Sequence, residues 1–230
     1  VKTAALKIAD PPPLRYNGPH LLGLKEASFS YDKSRKIIDR FSLDIEPGAR
    51  IAFLGSNGCG KTTLLNMLTG KTQPQSGEVY KHPLLRIGYF SQHVVDELPM
   101  DLTPVEAMMQ QFPDLSEYDC RAHFGTLGIG SVATRPVAGL SGGQRSRVAF
   151  ALVVYRAPHV MVLDEITNHL DMGTVESLVE ALAGYSGALI LVSHDIWFMK
   201  QLLDEDDINH QMYVVKDGQV TLWKKDLDAY

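Results

Sequence analysis

The most specific chemistry in this chain lies in eight consecutive residues, Gly55-Ser56-Asn57-Gly58-Cys59-Gly60-Lys61-Thr62. They fit G-x-x-x-x-G-K-[ST], and the context supports the match. Ile51 to Leu54 before them is a short apolar run that suits a buried strand, and Thr63 to Leu68 after them reads as helix. Glycines let the backbone wrap an anion without side-chain clash. The N–H groups so exposed, and the helix N-terminus behind them, face anionic oxygens. Lys61 supplies a point charge to the outer phosphates, and the Thr62 hydroxyl can ligate Mg2+. The predicted nucleotide contacts run from Gly55 through Thr63.

Two more strings add to this. Val160-Met161-Val162-Leu163 is a buried-strand pattern that ends in Asp164-Glu165. Carboxylates there are costly unless they face a cleft and a cation. Asp164 is placed to hold Mg2+ through water. Glu165, one residue on, points elsewhere and can orient or deprotonate an attacking water. In Leu140-Ser141-Gly142-Gly143-Gln144, small residues leave backbone donors exposed just before a helix. Each string alone has a bland reading: a Gly-rich turn, a surface acid pair, an accidental loop. Their order in one chain argues against all three.

The elements that must position these residues follow the hydrophobic pattern. Leu24 to Tyr31, Phe41 to Ile45, Leu85 to Ser91 and Leu189 to Val192 read as strands. Val175, Leu178, Val179 and Leu182 recur at helical spacing, and Arg145 to Tyr155 is an apolar helix. Met212 to Val215 and Val220 to Trp223 flank Lys216-Asp217-Gly218 as a hairpin. Alternating strands and helices predict an α/β sheet protein whose ligand sits at the carboxyl ends of the strands. Residues from about 95 to 140 form a separate helical lobe. Pro11-Pro12-Pro13 and Asn17-Gly18-Pro19 make residues 1–20 a proline-rich linker.

Composition narrows the class without naming the chemistry. Charged residues are 21% and apolar residues 45%, which excludes disorder throughout. A net charge of -5 argues against a whole-surface grip on nucleic acid, though a local basic patch stays open. Cys59 and Cys120 cannot make a disulfide framework and read as reduced cytosolic thiols. No apolar run is long enough to cross a bilayer. The start at Val1 reads as a fragment of a longer chain.

With the phosphate loop, Leu140 to Gln144 and Asp164-Glu165 in this order, the chain resembles the ATP-binding cassette superfamily. The resemblance implies a P-loop NTPase fold of the nucleotide-binding-domain type: a core mixed sheet with helices, an antiparallel β lobe and a helical subdomain. It implies ATP and Mg2+ as cofactors, with Lys61 among the catalytic residues. Ser141, Gly142, Gly143 and Gln144 match the signature that closes on nucleotide held by the other cassette of a pair. Gln92 resembles the glutamine that touches Mg2+ and couples the lobes. Asp171, in Asn168-His169-Leu170-Asp171, matches the D-loop. His194 matches the switch histidine beside the γ-phosphate, and Tyr31 looks like the aromatic that stacks on adenine.

Asn168 to Asp171, together with Ser141 to Ala151, resembles the F subfamily, soluble twin-cassette ATPases that act on ribosomes. Ile87 to His93 is similar to its eukaryotic general-control branch. The resemblance covers about Leu21 to Tyr230. It implies a C-terminal cassette, a second cassette in the same polypeptide or a homodimer in isolation, and ribosome or rRNA as partner. It also implies no membrane and a cytoplasmic location. Two other functions use the same motifs: the nucleotide-binding subunit of a membrane transporter, and a structural module with little turnover. Chromosome-structure ATPases need a long coiled coil between Gln92 and Leu140, and that interval is too short. One departure stands at Ile166, where the family usually has proline. Isoleucine there should loosen the turn after Glu165 and slow hydrolysis without loss of binding. The acidic run Asp204 to Asp207 reads as a solvated loop.

Overall fold

Every residue of the central strands is buried, so a continuous apolar run, and not alternation, marks the middle of this sheet. The structure, a computed structural model, describes residues 6–15, 21–32, 36–203, 207 and 209–224. In chain order the elements are β1 Leu22–Phe29, β2 Ile38–Ile45, β3 Arg50–Leu54, α1 Lys61–Thr69, β4 Ser76–Lys81, β5 Ile87–Ser91 and a short α2 Gln92–Asp96. The helical lobe follows with α3 Pro104–Gln111 and α4 Glu117–Thr126. Then come α5 Gly142–Val154, β6 Val160–Asp164, α6 Met172–Ala183, β7 Ala188–Val192, α7 Ile196–Leu202, β8 His210–Lys216 and β9 Gln219–Trp223.

Two sheets result. One is antiparallel, in the order β2-β1-β4. The other runs β5-β6-β7-β3-β8-β9 and is parallel except for the final hairpin. Side chains of the large sheet alternate between two cores. Ala52, Leu54, Met161 and Leu163 face one with Phe90, Phe124, Phe150 and Phe198. Ile51, Phe53, Val160 and Val162 face the other, with Leu64 and Leu65 of α1 and the antiparallel sheet. The fold is therefore the α/β phosphate-loop type, with an antiparallel lobe and a helical lobe.

Local capping defines the helical lobe. Thr103 with Glu106, and Ser116 with Asp119, form capping boxes at the starts of α3 and α4. Three elements were not expected from the pattern: β4, α2 and α7. In β4 no residue is fully buried, and Gly77 lies so close to Glu26 that a Cβ would stand 2.3 Å from its carbonyl oxygen. A polar, bulged edge strand has no apolar alternation to read.

The described part of the proline-rich start, residues 6–15, forms no helix or strand but packs against the cassette. Leu6 is 4% exposed. The Lys7 N–H donates to the Thr126 carbonyl at 3.1 Å, and Asp10 accepts the Ser186 N–H at 3.2 Å. Most of the acidic run, residues 204–206, lies outside the described residues, so its reading as a loop has no structural counterpart here. Among the described residues no helix is long and apolar enough to cross a membrane.

Candidate functional site

The carboxyl ends of β5, β6, β7 and β3 lie side by side, so the loops after them converge. In register, Ser91 pairs with Asp164, Asp164 with Val192, and Phe53 with Val192. Gln92, Asp164-Glu165, His194 and the phosphate loop therefore share one edge of the sheet.

The loop after β3 has the backbone that its glycines predict. Gly55, Gly58 and Gly60 all adopt positive φ. A Cβ on Gly55 would stand 2.5 Å from the Val215 carbonyl oxygen and 2.7 Å from Cys59 Sγ. Ser56, Asn57 and Gly58 are exposed, and Gly60 precedes the first turn of α1 in the left-handed region. Lys61 is buried. Its ammonium donates to the Gly55 carbonyl and lies 3.4 Å from the Ser56 carbonyl. Phosphate oxygens would take over these carbonyls' role as acceptors. Thr62 is exposed on the first turn. Thr63 is buried, and its hydroxyl lies 3.1 Å from that of Tyr31. Tyr31 is 72% exposed, so it is an open aromatic face beside α1 and not a core residue. Phe29 braces it edge-on, with ring centroids 5.0 Å apart.

Glu165 has φ 51 and ψ 40, the left-handed region that a non-glycine residue adopts at a cost. Its N–H donates to the Val192 carbonyl at 2.7 Å, which pins the turn to β7. Oε1 lies 3.1 Å from His194 Nε2, yet both carboxylate oxygens are shielded from solvent and neither makes a hydrogen bond. Buried carboxylate oxygens need partners, and a water or a cation-bound oxygen would supply them. The same His194 nitrogen is 3.3 Å from Asn57 Oδ1, so the histidine bridges the phosphate loop and Glu165. Ile166 is 4% exposed and packs in the main core.

Asp164 is held by a residue that the sequence reading did not single out. The Tyr89 hydroxyl donates to Asp164 Oδ2 at 2.5 Å. Burial, then this bond, push the Tyr89 hydroxyl far above the ordinary phenol range, so it stays a donor. The one signal in the sequence was a tyrosine near a buried strand end, where its hydroxyl must find an acceptor.

Gln92 opens α2 at the end of β5, with its side-chain amide donating to Asp96 at 2.8 Å. The signature residues lie elsewhere, at the start of α5. Ser141 and Gln144 cap each other, with bonds of 3.0 and 3.2 Å. A Cβ on Gly142 would meet nothing within 4 Å, whereas one on Gly143 would stand 2.6 Å from Asp171 Oδ2. Asp171 caps α6 by accepting the Thr174 N–H at 3.0 Å and its hydroxyl at 2.8 Å. These bonds hold its carboxyl below the usual range. Signature and D-loop thus pack on each other, and no described hydrogen bond joins them to the phosphate loop.

The residues present fit a magnesium nucleotide. Glycines leave a cradle, and Glu165 has two orphaned buried oxygens. Among the described residues no cluster of three or more His, Cys, Asp or Glu could hold a metal alone. Mg2+ is commonly held by one or two carboxylates together with nucleotide oxygens. Thr62, Asp164 and Gln92 would be its protein contacts.

Fold and loops define a phosphate-loop nucleotide-binding protein. The ABC transporter family matches residues 38–168, and the chain belongs to this ATP-binding cassette family. It is similar to ATP-binding cassette sub-family F member 3 of Mus musculus, 43% identical over 213 residues that cover 92% of this chain and 29% of that protein. Protein GCN20 of Saccharomyces cerevisiae is 41% identical over 88% of this chain and 26% of that protein. The chain therefore spans under a third of the length of these curated relatives. Among solved structures, cbiO1 from Clostridium perfringens, part of the ABC transporter complex cbiONQ, aligns with a TM-score of 0.73 and 27% identity. It covers 89% of this chain and 88% of that one. The ATP-binding cassette MJ0796, solved as a dimer bound to ADP and Pi, shares the fold at a TM-score of 0.70 and 22% identity. It covers 86% of this chain and 96% of that one.

Proposed function

We propose that this chain is one ATP-hydrolysing cassette of a cytoplasmic two-cassette protein of the F subfamily, a nucleotide-controlled clamp that acts on ribosomes in translation or its regulation. The observation that carries the hydrolytic part is Glu165, whose two buried oxygens lack hydrogen bonds beside His194 at the mouth of the phosphate loop. The identity to sub-family F relatives supports the subfamily and, through it, the ribosome.

In this reading the loop N–H groups and Lys61 bind the β- and γ-phosphates, and Tyr31 stacks on adenine. Magnesium, when bound, supplies positive charge at the phosphate oxygens. Glu165 aligns a water in line with the leaving oxygen, and His194 holds the γ-phosphate side. Among the described residues Ser141 to Gln144 make no hydrogen bond to the chain's own phosphate loop, and in this reading they serve a second cassette, which excludes water as it closes. ATP favours the closed pair, and hydrolysis favours reopening.

The likeness to cbiO1 favours a second reading, a transporter's nucleotide-binding subunit. Ribosome co-sedimentation against membrane fractionation separates the two. For hydrolysis, phosphate release per chain should rise with chain concentration. Glu165→Gln should retain ATP binding and lower release by about 100-fold or more. Rapid, concentration-independent release from a monomer, or release unchanged by Glu165→Gln, contradicts the reading.

A further inference from the structure

We infer that Tyr89 is a positioning residue that fixes the Asp164 carboxylate for the metal ion. The inference rests on the proposed role of Asp164 and adds a residue to it.

Tyr89 and Asp164 lie on neighbouring parallel strands, with Tyr89 opposite Val162 and Ser91 opposite Asp164. The tyrosine hydroxyl thus reaches two residues along β6 to Oδ2, at 2.5 Å. That is the short end of the range for an O–H donor on a charged oxygen. The bond occupies Oδ2 and restrains the rotation of the carboxylate, which leaves Oδ1 for the metal ion.

The ring is itself held. Lys71 Nζ sits 4.6 Å from its centroid. Lys71 directly follows Gly70, the residue that caps the far end of α1. The first turn of that helix carries Lys61 and Thr62. The segment from α1 to Lys71 therefore bears one proposed metal contact, Thr62, at its start and touches the partner of a second, Asp164, just past the helix end. Thr62 and Asp164, far apart in sequence, are thus linked through α1, Lys71 and Tyr89. Outer partners of this kind orient ligating carboxylates and tune metal affinity.

The test is Mn2+ binding to this chain with ADP, read by electron paramagnetic resonance, which needs no turnover. Tyr89→Phe keeps the ring and removes the hydroxyl, so its fold is checked by an unchanged circular dichroism spectrum. It should weaken nucleotide-dependent Mn2+ binding about 10-fold, with metal-free ADP affinity unchanged. Asp164→Asn should weaken Mn2+ binding at least as much. Loss with Asp164→Asn but not with Tyr89→Phe overturns the role of Tyr89 alone. No loss with either overturns the metal site on which it rests. Equal loss of ADP affinity with and without metal in Tyr89→Phe assigns the tyrosine to general packing and also overturns the inference.

Discussion

His159 and His194 stand at opposite edges of the same sheet and are treated in opposite ways. His159 precedes β6 at the amino edge and is 4% exposed. Its Nδ1 accepts the Arg86 N–H at 3.0 Å, so its proton lies on Nε2, which donates to the Pro12 carbonyl at 3.0 Å. Both ring nitrogens are used, and the result is a tie between the proline-rich segment and the core. His194 follows β7 at the carboxyl edge. One nitrogen is shared between Glu165 and Asn57 at 3.1 and 3.3 Å, and Glu165 keeps two oxygens without hydrogen bonds. At His159 the completed pair of bonds helps hold the fold together. At Glu165 an incomplete carboxylate and a left-handed backbone coincide at the proposed nucleotide site.

The sharpest way to break this contrast is to remove each ring. His194→Ala should lower phosphate release about 100-fold and leave stability within about 0.5 kcal/mol. His159→Ala should leave ATP affinity unchanged and cost about 1–3 kcal/mol, because the Arg86 N–H loses its acceptor. Denaturant melts and nucleotide titrations on both variants check the pair. If His159→Ala damaged turnover without loss of stability, the division between edges would fail.

A smaller effect lies in pH. Burial depresses the pKa of His159 below its ordinary value of 6.5, and burial does the same to His123, whose Nε2 is bonded to the Ala151 carbonyl at 2.8 Å. Below that value the unfolded chain takes up protons that the folded chain refuses. Stability should therefore be full above about pH 6.5 and fall as the pH drops from there toward the depressed folded values. Melts in a pH series would show this slope, and His159→Phe should flatten part of it.

Much of the site was legible because its chemistry is written in contiguous residues. Gly55 to Thr62, Asp164-Glu165 and Ser141 to Gln144 declare their loops directly, and buried runs such as Val160 to Leu163 located the strands that place them. What escaped depends on register across the sheet. The bond from Tyr89 to Asp164 joins residues 75 positions apart, and no periodicity connects them. The packing of Gly143 on Asp171 was hidden for the same reason, since two motifs read separately proved to be one contact. The Glu165-Ile166 turn looked loose because proline was missing. The structure buries Ile166 in the core and places Glu165 in the left-handed region, and the expected slower turnover is read by comparing Ile166→Pro with the native chain.

The central claim is that glycine backbone, Lys61 and Asp164 hold a magnesium triphosphate at the carboxyl edge. Titration of the chain with a fluorescent ATP analogue, with and without Mg2+, tests it most directly. The account predicts saturable binding that tightens with Mg2+ and disappears in Lys61→Ala. Binding absent from the native chain, or indifferent to both the metal and Lys61, would contradict it.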